Sequence, residues 1–275
     1  MQAAGLAGLG QRCDSVRLVH TVFFEPAGPD TFAATTSTTG PWSTAAQHGG
    51  PPSALAARVM EAWAPAPGQR LASVAVDILR PVPVGKLTAR TRTVRPGRRV
   101  ALVETVLSAD DQEVLHARGW KIEIAADPVP ATPGAVPPPI PPAGGAPTGM
   151  VWEGYGTAME WRYVSGGGLD QPGPAAAWMR PIIPLLPGEE MSPMSRALLS
   201  ADSGSGLSAV LDVQAFLFIN VNVNVMLHRD PVGEWLLLDA VTAIGPNGTG
   251  VATSTLSDPS GPVGHVAQAL LVAPR

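Results

Sequence analysis

Leu79-Arg80-Pro81-Val82-Pro83-Val84-Gly85-Lys86-Leu87 and Leu227-His228-Arg229-Asp230-Pro231-Val232-Gly233-Glu234-Trp235 are two versions of one segment, the second 148 residues after the first. A self-similar stretch at this separation, in a chain of 275 residues, means that the chain contains one structural unit twice. Further along, Val114-Leu115-His116-Ala117-Arg118-Gly119 lies over Val263-Gly264-His265-Val266-Ala267-Gln268 at an offset of 149, so a loop differs by one residue. Upstream, Gly49-Gly50-Pro51-Pro52-Ser53-Ala54 can be laid over Asp202-Ser203-Gly204-Ser205-Gly206-Leu207 at an offset of 153, the weakest of the three registers.

Working outward, each Gly-rich turn is followed by a helical stretch, Ser53 to Trp63 and about Ser205 to Leu211, with small residues that permit close backbone packing. Strands follow. In the first copy these are Ser73 to Leu79, Thr88 to Val94, Val100 to Ser108 and Val114 to Ile124, bounded by Pro-Val-Gly, Pro-Gly and Asp-Asp turns. In the second they are Phe218 to His228, Trp235 to Ile244, Gly250 to Ser257 and Val263 to Val272. One helix and a long antiparallel meander leave an apolar sheet face that only the helix can cover, so the reading is α+β, with each antiparallel sheet wrapped around a central helix. Between the copies the composition turns to Pro, Gly and Ala, as in Pro137-Pro138-Pro139-Ile140-Pro141-Pro142, which can carry neither a ladder nor a helix. The expected organisation is therefore an N-terminal unit over 1–125, a stiff linker over 126–150 that crosses the face of a domain, and a C-terminal unit over 151–275.

A net charge of −4 gives no global attraction to nucleic acid. Arg90, Arg92, Arg95, Arg98 and Arg99 crowd one hairpin, readable either as a solvated strand face or as a surface for phosphates. The apolar start, Met1 to Gly10, is too short for a signal core, and no apolar run reaches the ~18–20 residues of a membrane-spanning helix. The single Cys13 makes no internal disulfide, which fits a reducing compartment. The expectation is a soluble cytoplasmic protein without membrane insertion. The five histidines do not cluster with acids at ligand spacing, so neither a metal nor a cofactor is expected. Gly166-Gly167-Gly168 lacks the Lys-Ser or Lys-Thr of a phosphate loop.

Thr39-Gly40-Pro41-Trp42, then Gln47-His48-Gly49-Gly50-Pro51-Pro52 before a helix, and Arg80-Pro81 closing a strand resemble the acyl-CoA thioesterase II-like group of double hot-dog proteins. Ala201-Asp202, Phe218-Ile219-Asn220, Leu227-His228-Arg229 and Val266-Ala267-Gln268 resemble its catalytic half. The resemblance implies a double hot-dog fold, an acyl-CoA substrate, and hydrolysis of the fatty acyl thioester by a water held between an Asp, a Thr or Ser, and a Gln. Carried over, Asp202 takes the Asp position and Gln268 the Gln position, while the hydroxyl position falls on Asn220. An amide orients water but is no hydroxyl relay.

The chemistry suits these types. A carboxylate at Asp202 can take the proton of water, Asn220 and Gln268 can orient that water, and the N–H groups of the His48-Gly49-Gly50 turn at a helix start can meet the carbonyl oxyanion. Applying the offsets sets Asp202 opposite Gly49, Asn220 opposite Ala72 and Gln268 opposite Gly119, all without polar side chains, which favours one site per chain. Plainer readings stand beside these: Asp202 as a helix N-cap, Asn220 with Asn222 and Asn224 as a polar ladder, His48 as a structural turn residue. His116 and His265 are equivalent to each other and read as scaffold. Ser203-Gly204-Ser205-Gly206 does not make a nucleophile elbow. A non-catalytic acyl-CoA or lipid-binding protein is the alternative function, and pairing into a homo-oligomer of double units is compatible with exposed sheet edges.

Overall fold

The computed structural model describes residues 20–63, 68–144, 152–167 and 171–275; the readings made on Met1 to Gly10, Cys13 and Gly168 lie outside these. The first unit opens with two short strands, β1 (Phe24–Gly28) and β2 (Thr31–Ala34), and a 3-10 turn over Thr36–Thr38. The helix α1 (Gly50–Ala62) follows, then β3 (Gln69–Ile78), β4 (Lys86–Arg95), β5 (Val100–Ala109) and β6 (Gln112–Glu123). The second unit repeats the order with α2 (Tyr155–Ala158), β7 (Met159–Ser165) and β8 (Ala175–Pro181). Then come α3 (Pro193–Ala201), α4 (Gly204–Leu207), β9 (Phe216–Asn220), β10 (Asn222–Leu227), β11 (Leu236–Ile244), β12 (Thr249–Asp258) and β13 (Gly261–Pro274).

The strands run β1-β2-β4-β5-β6-β3 in the first unit and β7-β8-β11-β12-β13-β10 in the second, and the two halves join edge to edge through β3 and β10. That seam is built on a local two-fold axis. Ala75 faces Asn224, its own counterpart at the 149-residue offset, while Val74 faces Val225 and Val76 faces Val223. Arg118 faces Ala75 as Ala267 faces Asn224, so the register of the second copy follows from that of the first. A break recurs at the same place in both: the ladder skips Ala72 between Leu71 and Ser73, and Val221 separates β9 from β10. A bulge of this kind bends the strand and re-aims its side chains.

Small residues let the helices approach. Every residue from Gly50 to Ala57 is buried, and α1 packs antiparallel on α3, with the Ser195 hydroxyl donating to the Ala54 carbonyl at 3.1 Å. Leu55, Met60, Leu198 and Leu199 fill the space between this pair and the sheet, together with Val74, Val76, Val223 and Val225. Burial of such side chains contributes about 1.5–3 kcal/mol each. Ser192 caps α3 by accepting from the Ser195 N–H, and Pro193 occupies its first turn, where a missing N–H costs nothing. Asp110 and Asp111, at φ 46° and 63°, make the tight turn between β5 and β6.

Residues 124–144 form no regular element and lie over the outer face of the second sheet: Trp178 donates to the Pro138 carbonyl at 3.1 Å, and Ile140 packs on Ala176, Trp178 and Leu237. This cover explains why β8 is apolar on both faces.

Two sequence expectations change here. The main helix of the second copy is α3, with only one turn, α4, inside the expected stretch from Ser205 to Leu211. The register that equated Gly49 with Asp202 also fails, because Gly49 precedes α1 whereas Asp202 follows α3; the antiparallel packing makes them neighbours rather than counterparts. Counterpart positions along the strands are Asn220 with Leu71, rather than Ala72, and Gln268 with Gly119.

Candidate active site

The turn before α1 is held from three directions. The His48 N–H donates to the Thr38 carbonyl at 2.8 Å, the Gln47 side chain donates to the Pro83 carbonyl at 2.7 Å, and the backbone bridges Thr39 to Gln47. Two bare residues then let α1 start against the end of α3. A Cβ on Gly49 would stand 2.8 Å from both carboxylate oxygens of Asp202, and one on Gly50 would collide with the Leu199 carbonyl. Glycine is needed here for close approach rather than for an unusual φ.

Asp202 caps the C-terminal end of α3 and is 5% exposed. Asn220 Nδ2 donates to Asp202 Oδ1 at 2.7 Å and to the Asn222 carbonyl at 3.2 Å; two acceptors on one side fix the orientation of the amide. On the other side His48 Nδ1 stands 3.0 Å from Asp202 Oδ2. Gln268, 1% exposed, takes a different part: Nε2 donates to the Asp202 carbonyl at 3.2 Å, and Oε1 accepts from the Ser205 N–H at 3.1 Å. It pins the bend between α3 and α4 and keeps one N–H and one lone pair for another partner. Gly204 leaves room beside it, since a Cβ there would meet Gln268 Oε1 at 2.8 Å and Ser254 Oγ at 2.9 Å; the Ser254 hydroxyl is buried and has no partner among the described residues.

The imidazole of His48 lies flat on the buried ring of Tyr155, centroids 3.8 Å apart and planes 3° from parallel. Tyr155 is anchored by its hydroxyl, which donates to the Leu199 carbonyl at 2.8 Å and meets Ser203 Oγ at 2.9 Å. Burial pushes the His48 pKa down, against the pull of Asp202, so the ring is neutral at pH 7 with one N–H. The Gly50 N–H also lies 3.2 Å from Nδ1, and one nitrogen cannot both donate to the carboxylate and accept from Gly50. A bare Nδ1 would set a lone pair against a carboxylate oxygen. The tautomer with the proton on Nδ1 suits the carboxylate contact, the Gly50 N–H points at that same nitrogen, and the Gly49 N–H has no partner among the described residues.

Two family models together match most of the chain. The acyl-CoA thioesterase C-terminal domain matches residues 131–272 and the acyl-CoA thioesterase N-terminal domain matches residues 38–122. The chain belongs to the acyl-CoA thioesterase family. No curated protein matches it. Among solved structures it is similar to the tesB protein of Mycobacterium avium subspecies paratuberculosis, at 18% identity and a TM-score of 0.65 over 92% of this chain and 97% of that one. It is similar to the acyl-CoA thioesterase II TesB2 of Mycobacterium marinum, at 15% and 0.63 over 92% and 95%. It is also similar to a conserved protein of unknown function with a hot dog fold from Alicyclobacillus acidocaldarius, at 16% and 0.68 over 89% and 94%. At such identities these structures share the fold, which is a double hot-dog.

The structure thus brings Asp202, Asn220, His48, Gly49 and Gly50 together at one end of the α1–α3 pair, with Gln268 directly behind the bend. The N-cap reading of Asp202 is not what forms, because Asp202 ends α3 and Ser203 precedes α4. The ladder reading holds for two of the three asparagines. Asn222 Oδ1 accepts from the Ala269 N–H and Asn224 Nδ2 donates to the Ala267 carbonyl, whereas Asn220 turns to the carboxylate. Tyr155 and Ser254 were not singled out in the sequence. Tyr155, one of only two tyrosines and set between Gly154 and Gly156, carried a signal; Ser254 in its Thr-Ser-Thr run carried none.

Two acids meet part of the arginine hairpin. Arg92 and Arg118 grip Glu104, with Arg118 the main cause of its lowered pKa, and Arg98 and Arg99 pair with Glu123. Arg90 and Arg95 have no acid partner among the described residues, so the face stays net positive and fits both readings. Among the described residues no three His, Cys, Asp or Glu side chains are grouped as metal ligands would be, and no helix is long and apolar enough to cross a membrane.

The contact between Gly49 and Asp202 makes a test. Gly49→Ala forces a methyl against the carboxylate at a distance that packed Cβ atoms do not show, an overpacking worth about 1–3 kcal/mol. We expect Asp202 to be displaced from Asn220, with acyl-CoA turnover falling at least about tenfold while circular dichroism shows the fold retained.

Proposed function

We propose that the chain hydrolyses fatty acyl-CoA to free fatty acid and coenzyme A, in the cytoplasm, with Asp202 as the base. The observation that supports it most is the near-buried Asp202 carboxylate, held between the Asn220 amide and the His48 imidazole and facing the bare Gly49 and Gly50. A water beside this carboxylate would give its proton to Asp202 as its oxygen adds to the thioester carbonyl. The oxyanion would be met by the Gly49 N–H, and by the Gly50 N–H once it leaves His48 Nδ1, where the α1 dipole adds to the donors. Collapse breaks the C–S bond, and the coenzyme A thiolate recovers the proton from Asp202. Asn220 keeps the carboxylate aimed and Gln268 keeps the bend that carries it, so here the amides act on the base as much as on the water.

One observation favours the non-catalytic acyl-CoA-binding reading: Gln268 is tied at both ends to the main chain and Asn220 brings no hydroxyl, so the water is not gripped as the resemblance implies. Turnover decides between them. Incubated with acyl-CoA of graded chain length and a thiol reagent, the purified protein should release coenzyme A. Asn220→Ala should lower kcat at least about tenfold by freeing Asp202, with Asn220→Thr intermediate. Binding without thiol release at every chain length selects the binding module.

A further inference from the structure

The helix pair has two ends. Asp202 lies where α1 begins and α3 ends; a cleft of about 230 Å³ opens at the opposite end, lined by Glu61, Gln69, Arg70, Leu71, Lys121, Pro193, Met194 and Asp230. The local two-fold axis makes this cleft the counterpart of the Asp202 site. Across the strands, Leu71 faces Lys121 as Asn220 faces Leu270, and the 149-residue offset maps one pair onto the other. The polar member has changed strands. Where the second unit has an amide beside a leucine, the first has a leucine beside an ammonium.

Lys121 is only 5% exposed. Its ammonium donates to the carbonyls of Trp63 at 2.7 Å and Glu61 at 3.5 Å, at the C-terminal end of α1, which leaves a third N–H. A buried cation is costly without a counter-ion, yet among the described residues no carboxylate stands within ion-pair distance of it. The other charges in the cleft are engaged. Arg70 pairs with Asp230 at 2.9 Å and donates to the Leu227 carbonyl at 3.0 Å. Glu61 attracts Lys121 from the same lining, while burial pushes the Glu61 carboxyl up and the Lys121 ammonium down. Leu71, Pro193 and Met194 supply an apolar wall.

We infer that this cleft is a second binding site, for a short aliphatic carboxylate whose head group pairs with Lys121 and whose tail lies on Leu71, Pro193 and Met194. A dianion such as phosphate is disfavoured by Glu61 and Asp230 in the same lining. The inference does not depend on hydrolysis at Asp202, since the two sites are at opposite ends of the helices.

The chain has only two lysines, Lys86 and Lys121, so lysine-selective ¹³C labelling gives two side-chain signals, assigned with Lys86→Arg at an exposed position. Hexanoate added to the intact protein should move the Lys121 signal saturably, leave Lys86 unmoved, and act equally on Asp202→Asn. Inorganic phosphate should bind at least about tenfold more weakly, and Lys121→Met should lose hexanoate binding by isothermal titration. The site is overturned if Lys121 does not respond, if both lysines shift together, if phosphate matches hexanoate, or if Asp202→Asn abolishes the response. The labelled wild type answers even if Lys121→Met fails to fold.

Discussion

Asp202→Asn should lose on the order of 10²–10⁴ in kcat, the range for removing a general base, or ~3–5 kcal/mol of transition-state stabilisation. The substitution keeps the size and most contacts of the side chain. An amide oxygen can still accept from Asn220 Nδ2, as the carboxylate does at 2.7 Å, and the capping backbone of α3 is unaffected. What disappears is the capacity to take a proton from water. His48 cannot replace it, because its Nδ1–H loses the charge it faces and its pKa is already depressed by burial. The affinity for substrate or for a non-hydrolysable thioether analogue should therefore stay within a fewfold of wild type, and the melting temperature should barely move. Equal losses in kcat and in analogue affinity would place Asp202 in binding rather than in chemistry.

Arg229→Ala should be the most destabilising of the single substitutions considered. Asp258 is fully buried at the end of β12, and both of its oxygens are taken: Arg229 Nη1 and Nη2 donate at 2.5 and 2.7 Å, and the Val232 and Ser260 N–H groups donate at 2.8 Å each. Burial pushes its pKa up, but Arg229 and the two backbone donors outweigh that and hold it below the usual carboxylate range. Removing Arg229 leaves the buried charge without its cation. Breaking a fully buried pair costs about 3–5 kcal/mol. Because a third of the Arg229 side chain is exposed, about 2–3 kcal/mol is the better expectation, a fall of roughly 5–10 °C in Tm. Asp258→Asn should cost less, since Arg229 can turn to water.

The pH dependence follows from the sign of the shift. A depressed folded-state pKa contributes stability above the unfolded value of about 3.9 and loses it as pH falls through the folded one, so the gap between wild type and Asp258→Asn should close below about pH 4. A gap that persists at lower pH would mean that packing, rather than charge, holds this turn.

The repeat made most of the fold legible. The offset of 149 residues is both a feature of the sequence and the geometry of the seam, because Ala75 lies opposite Asn224. The helix α3 had its own signal, a Ser192 cap followed by Pro193, but the neighbouring Gly-rich run drew the helix assignment downstream. Aligning that run with Gly49-Gly50 produced the false register. The partners of Asp202 were partly legible. Strand offsets set Gln268 opposite Gly119, but no local pattern says that Gln268 would spend its amide on the main chain, because that depends on how α3 breaks into α4. The pairing of Arg92 with Glu104 could have been read more sharply, since the two are directly opposite in a ladder whose register the Pro96-Gly97 turn sets.

In a dimer of identical single units, every substitution would appear at both ends of the helix pair at once. Joining the copies in one polypeptide removes that restriction. Position 121 can carry a cation while position 270 stays a leucine, and position 220 can turn an amide to its carboxylate without a matching change at 71. Tandem duplication has turned a symmetric frame into one whose two poles can take up separate occupations.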